Sequence, residues 1–214
     1  DLINLDNCRS GRQCFRFLAI YINLFFVFLF SPAIVCISKA TEARVHSYFP
    51  FVKSKTLVFT SPACVPVGDD TSILSRIDKG RFVLVVTNNL PHKNNEFVLG
   101  DFSKHLSELD LQLVVVGVGH ESTPSAESNV FLYQQLSDSE MNFLFRNCFC
   151  VCSPSLAEGH NIVLAKGNSL NKPLLASDIP VHREYYPNSV FFNPYDLSSL
   201  LDGLRMICLL PETV

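Results

Sequence analysis

Beyond residue 77 the chain alternates short apolar runs with longer amphipathic segments, and this alternation restricts the fold more than any other property. The spacing predicts strands at 82–87, 112–117, 130–133, 149–153, 173–177 and 189–192. Helices are expected at 95–109, 137–147, 161–170, 182–186 and 197–209. Ser137-Asp138-Ser139-Glu140 has the form of a capping box and marks one of these helix starts. Apolar strands separated by helices build a parallel sheet covered on both faces, so 77–214 reads as an α/β, Rossmann-like domain. The polar stretch 61–76, with Pro62, Pro66, Gly68, Asp69 and Asp70, reads as a linker, and 1–60 as the remnant of another domain. At 48% hydrophobic and 17% charged residues, the composition is that of a packed globule rather than a disordered chain. The first residue is Asp rather than Met, so the sequence reads as an internal or processed piece of something longer.

The run from Phe15 to Ile37 is apolar almost throughout. Its length alone permits a membrane span, but Pro32 stops a helix near Phe30 and leaves a segment short for that purpose. It reads first as a buried globular helix, next as one lying on a membrane, and last as a span. Residues 33–37 then form a separate strand, and Lys39 opens another helix. Through Lys55 there are seven basic residues (Arg9, Arg12, Arg16, Lys39, Arg44, Lys53 and Lys55) against Asp1, Asp6 and Glu42. A basic segment beside an apolar run suits an anionic membrane surface. It does not suit nucleic acid, because no basic patch is interleaved with base-stacking aromatics.

Eight cysteines could signal disulfides. Cys148, Cys150 and Cys152, however, alternate along one expected strand and share a face, where they read as small buried hydrophobes in a reducing compartment. With no Cys-x-x-Cys pair and no histidine at ligand spacing, a zinc site is set aside.

The chemistry concentrates at the carboxyl ends of the strands. Ser153 to Lys166 reads as a strand end, a tight loop with one acid and a helix, and 171–178 as a second strand ending in Asp178. Glu158 in that loop can accept hydrogen bonds from ligand hydroxyls, or it can simply cap the helix. The backbone N–H groups of Gly159, His160 and Asn161 would face a phosphate, because helix N-termini favour anions and a glycine permits close approach. Thr87 to Asn94 places Lys93 at the edge of the same cleft, where it can neutralise a pyrophosphate or merely sit in solvent. Gly117-Val118-Gly119-His120-Glu121-Ser122 is a near miss to the dinucleotide fingerprint and reads better as a tight turn lining the cleft. His182-Arg183-Glu184, just past Asp178 and Pro180, could contact a ligand at the next strand edge but reads more readily as the exposed first turn of a helix.

Lys93-Asn94, Glu158-Gly159, Asn171-Lys172-Pro173 and Ala176-Ser177-Asp178 occur in the order found in retaining glycosyltransferases of family 4, which the chain resembles. The likeness extends over 179–184 and 193–196, and upstream over 37–41 and 48–50, so it covers nearly the whole chain. It implies the C-terminal, donor-binding domain of a GT-B enzyme with only the tail of the acceptor-side domain.

The catalytic roles fall to Glu158, which in the family contacts the donor sugar, and Lys93, which contacts its diphosphate. Gly159, His160, Asn161, Lys166, Gly117, Tyr133 and Leu136 complete the expected donor site. The resemblance further implies a UDP- or GDP-linked sugar donor, a glycan or lipid-linked acceptor, transfer with retention, and no metal or other cofactor. It places the enzyme in the cytoplasm, with peripheral contact at the inner face of the membrane. Two positions depart from the family pattern. Lys166 stands where a second acid is usual, and Asn89 where many members carry an arginine. A non-catalytic or degenerate nucleotide-sugar-binding fragment is therefore the alternative.

Overall fold

The computed structural model describes residues 11–60, 77–118 and 129–209. The chain divides into two compact units, residues 1–61 with 157–160 and residues 62–156 with 161–214. The 61–76 segment expected to be a linker lies outside the described residues.

In the first unit, α1 (Gly11–Phe30) stops where Pro32 requires. Its final carbonyls are satisfied from outside the helix. The Ser31 hydroxyl donates to the Val27 carbonyl at 2.7 Å, and the Lys55 ammonium donates to the carbonyls of Leu29 and Ser31 at 3.2 and 3.3 Å. The short strand β1 (Ile34–Cys36) runs parallel to β2 (Thr56–Val58). Between them lies α2 (Lys39–Tyr48), whose N-cap Ser38 accepts from the Thr41 N–H at 3.0 Å. Phe49 is fully buried at the centre of this unit, with the rings of Tyr21 and Phe28 at 4.8 and 5.1 Å. That packing bears out α1 as a globular helix on one side. Its other side leaves Phe15, Leu18, Ile22, Phe26 and Phe30 exposed. Among the described residues no helix is long and apolar enough to cross a membrane, so the reading of this run as a span is withdrawn.

The second unit is built on six parallel strands in the order β5-β4-β3-β6-β7-β8. These are β3 (Phe82–Val86), β4 (Gln112–Val116), β5 (Val130–Tyr133), β6 (Cys150–Ser153), β7 (Leu174–Ser177) and β8 (Val190–Phe192). All six expected strands are present, and the α/β class follows as anticipated.

Alternate residues serve opposite faces, as a pleated strand dictates. Val83, Val85, Leu113, Val115, Cys150 and Cys152 pack on one side, with Val98, Phe102 and Leu106 of the helical segment 95–109 (α3) and with Leu200, Leu204 and Ile207 of α7 (Leu197–Cys208). Phe82, Leu84, Val114 and Val151 pack on the other, with Phe143 to Phe145 of α4 (Asp138–Asn147) and Leu164 of α5 (Ile162–Ser169). The central strands are buried on both faces, which explains their unbroken apolar runs.

Three expectations need correction. First, α3 is not one regular helix. It passes from an α turn (Asn95–Phe97) through a π turn (Val98–Phe102) and a second α turn (Ser103–His105) to a 3-10 turn (Leu106–Leu109). Gly100 lies within it, and the Ser103 hydroxyl donates to the carbonyls of Leu99 and Gly100 at 3.1 and 2.9 Å, competing with the regular ladder. Val98, Phe102 and Leu106 still make one buried stripe. Second, Cys148 does not share a face with Cys150 and Cys152. It is the C-cap of α4, ahead of the strand, and its side chain joins the opposite core. Third, the helix expected at 182–186 starts two residues earlier, as α6 (Pro180–Tyr185), with the proline at N1, where its missing N–H costs nothing.

Candidate functional site

In a sheet of this order, the chain leaves β3 toward β4 on one side and β6 toward β7 on the other. The connections diverge between β3 and β6, the kind of switch point at whose carboxyl edge open α/β sheets bind ligands. The segments carrying Lys93 and Glu158 leave these two strands.

Beyond β3 the chain makes a single 3-10 turn, Pro91–Lys93, closed by Asn94 in the left-handed region at φ 58° and ψ 39°. The Asn94 side chain donates to the carbonyl of Pro154 at 3.3 Å and to that of Pro194 at 2.9 Å. The backbone N–H of Leu156 donates to the His92 carbonyl at 2.7 Å. The residues on either side of Lys93 are thus tied to the segment leaving β6, close before Glu158.

Beyond β6, Ser153 and Ser155 are buried, and Glu158, Gly159 and His160 are half-buried. Asn161, in the left-handed region at φ 65° and ψ 77°, is the N-cap of α5, its Oδ1 accepting from the Leu164 N–H at 3.2 Å. The capping role open to Glu158 is therefore filled by Asn161.

Gly117 ends β4 at φ +104°, where a Cβ would stand 1.9 Å from the Thr87 carbonyl oxygen. Only glycine fits so close an approach of two strand ends. The rest of that turn, Gly119 to Ser122, lies outside the described residues. Tyr133 ends β5, its carbonyl accepting from the Gly117 N–H at 2.8 Å, and its ring and Leu136 are half-buried against the core. The expected capping box is present, with Ser137 Oγ accepting from the Glu140 N–H at 3.3 Å and the Glu140 carboxylate accepting from the Ser137 N–H at 2.7 Å. Lys166 extends over the ring of Phe145, its ammonium 5.8 Å from the centroid, a weak cation–π contact.

The trio 182–184 is not an exposed turn. His182 is fully buried, because α6 begins at Pro180 and turns Val181 and His182 inward. Arg183 does face solvent, where it forks onto Asp178 at 2.6 and 2.8 Å and stacks 4.3 Å from the centroid of the Phe191 ring. Those hydrogen bonds from Arg183 hold the Asp178 carboxyl below its usual range.

Inside the second unit, Asn161, His182, Ser153, Ser155, Ser177 and Tyr186 form a buried polar network that the sequence reading did not identify. Its one local signal was an Asn just before an apolar helix, the mark of an N-cap. Among the described residues, no group of three or more His, Cys, Asp or Glu side chains is gathered as a metal ion would need.

The sequence pattern of the glycosyl transferases group 1 matches residues 70–213, well over half of the chain. The chain belongs to this family. The O-antigen chain mannosyltransferase RfbU of Salmonella typhimurium is 25% identical over 158 residues, 67% of this chain and 43% of that protein. The chain thus spans less than half the length of this curated relative. Among solved structures, sucrose-phosphate synthase from Thermosynechococcus elongatus superposes with a TM-score of 0.74 at 15% identity, covering 97% of this chain and 57% of that one. An alpha,alpha-trehalose-phosphate synthase (UDP-forming) from Burkholderia vietnamiensis gives 0.71 at 11% identity, covering 95% and 57%. At such identities the agreement is one of fold. The fold that this group 1 chain shares is that of GT-B glycosyltransferases.

Proposed function

We propose that the chain is the donor-binding part of a family 4 glycosyltransferase, which moves a sugar from a UDP- or GDP-linked donor to a glycan or lipid-linked acceptor with retention of configuration. One observation carries the reading: the Lys93 turn and the segment leading to Glu158 leave the two strands that flank the switch point, and Asn94 and Leu156 bind them to each other. Lys93 would meet the charge that grows on the departing diphosphate, helped by backbone N–H groups at the start of α5. Glu158 would bind the sugar hydroxyls. Gly159, His160 and Asn161 would line the diphosphate, and Gly117, Tyr133, Leu136 and Lys166 the nucleotide side. The name of the Salmonella relative favours a mannosyl donor. The exposed apolar side of α1 suits peripheral contact with the inner face of a membrane, on the acceptor side.

Calorimetric titration of the chain with UDP, GDP and their hexose conjugates tests the donor site. Saturable binding of one nucleotide, lost in Lys93→Ala and Glu158→Ala, supports it. A folded chain that binds none of them overturns it. A second reading, donor binding without transfer, is favoured by Lys166 lying over Phe145 where the family has an acid. Binding without transfer to any acceptor, and transfer gained in Lys166→Glu, would select that reading.

A further inference from the structure

The side chain of Asn161 is committed inward. It is 6% exposed, and because Oδ1 accepts from the Leu164 N–H at 3.2 Å, Nδ2 must be the end that faces Ser153 Oγ and His182 Nε2, both at 2.7 Å. His182 Nε2 therefore presents a lone pair. Its other nitrogen, Nδ1, lies 2.9 Å from the Ser177 carbonyl oxygen, which can only accept, so Nδ1 carries the proton. Every partner is in turn held. Ser177 Oγ donates to the Ser155 carbonyl at 2.5 Å, and the Tyr186 hydroxyl donates to the Asn161 carbonyl at 2.9 Å. Ser155, Ser177 and His182 are 2% exposed or less.

These contacts fasten the chain immediately before and immediately after the Glu158 loop. Ser153 and Ser155 precede it, Asn161 follows it, and His182 with Ser177 braces both from β7 and α6. The left-handed turn at Asn161 also sets the direction in which the first N–H groups of α5 point. We propose that His182 and Asn161 are positioning residues of the nucleotide-sugar site: without touching the donor, the neutral imidazole and the amide fix the shape of the Glu158 loop and the aim of the α5 N-terminus. The inference rests on the donor-site reading. It adds a requirement that reading does not make, a histidine held as the Nδ1–H tautomer behind the loop.

Two measurements on the full chain decide it. With ¹⁵N-labelled histidine, the His182 resonance, assigned by its loss in His182→Gln, is expected to show a neutral ring protonated at Nδ1. A ring protonated at Nε2 overturns the network. Titration with UDP, GDP and their hexose conjugates is then compared across variants. His182→Phe leaves the Asn161 amide and the Ser177 carbonyl without their partner, and is expected to weaken binding at least tenfold. His182→Gln, whose amide oxygen can accept from Asn161, is expected to recover binding to within about threefold of the native chain.

Should His182→Phe fail to fold, Asn161→Asp takes its place, keeping the helix cap while losing the donor to His182, with the same weakening expected. Leu204→Ala, on the opposite face of the sheet, is the stability control. It lowers the melting temperature and leaves nucleotide affinity unchanged, so equal weakening there overturns positioning in favour of simple destabilisation. Native-like affinity in His182→Phe or Asn161→Asp overturns the inference and leaves the donor site standing. A folded native chain that binds no probe removes both.

Discussion

The side-chain amide of Asn94 reaches the backbone carbonyl of Pro194 at 2.9 Å, across a hundred residues of sequence, while also donating to that of Pro154. One small side chain thus pins three loops at the carboxyl edge of the sheet. Asn94 also holds a left-handed backbone, which asparagine tolerates through its short polar side chain but which costs alanine roughly 1–2 kcal/mol. Asn94→Ala should lose the bridge and incur that cost together, destabilising the chain by about 2–3 kcal/mol in urea unfolding. Asn94→Gly should lose only the bridge and fall about 1 kcal/mol short of that. Equal losses would show that the backbone at Asn94 is unstrained.

Gly117→Ala is expected to be among the most damaging single substitutions in the second unit. The new methyl would collide with the Thr87 backbone carbonyl, so no flexible side chain can give way to it. A loss above about 3 kcal/mol in urea unfolding is expected. A near-native midpoint would show that the ends of β3 and β4 can part without cost.

The cysteines should divide by access. Burial pushes the Cys148 thiol up to about 12 and raises those of Cys150 and Cys152 as well, so at mildly alkaline pH all three are protonated as well as enclosed. Cys208 is also raised, by partial burial, yet its side chain is exposed. Brief iodoacetamide treatment followed by peptide mass mapping should modify Cys208 and spare Cys148, Cys150 and Cys152. Labelling of Cys150 in the native chain would contradict the packing of β6.

Asp178 and Arg183 give a pH dependence of defined sign. The folded carboxyl titrates below its unfolded value, so its pairing stabilises the chain above the unfolded carboxylate range and is lost as pH falls through the folded value. The pair is exposed, so the effect is small. Arg183→Gln should lower the melting temperature slightly near neutral pH, and the difference from the native chain should vanish in acid. A difference that persists in acid would point to the contact of Arg183 with Phe191 instead.

Much of the sheet was legible because strands buried on both faces leave unmistakable apolar runs, as in Phe82 to Val86 and Leu174 to Ser177. The capping box at Ser137 was legible for a related reason: its residues act on one another within a single turn. Local pattern failed where distant partners decide. The burial of His182 depends on an amide contributed by Asn161 and a carbonyl contributed by Ser177, and its neighbours Arg183 and Glu184 suggested the opposite. The π turn in α3 likewise leaves no trace in hydrophobic spacing, since Val98, Phe102 and Leu106 keep one buried stripe through it. At the site, the positions of Lys93 and Glu158 at strand ends were readable, whereas the bridges that join their segments were not, since Asn94 carries no mark of reaching Pro154 and Pro194.

The strand order has a consequence for how the second unit is assembled. β3, β4 and β5 can pair as soon as they are made, but β3 also needs β6 on its other edge, and that partner comes after the whole first half of the sheet. Closing so distant a pairing late is entropically expensive and slow. The β3–β6 junction is the seam of that closure, so the bridges from Asn94 to Pro154 and from Leu156 to His92 exist only once both halves have met, and a lesion that delays their meeting would abolish those bridges before it melts either half.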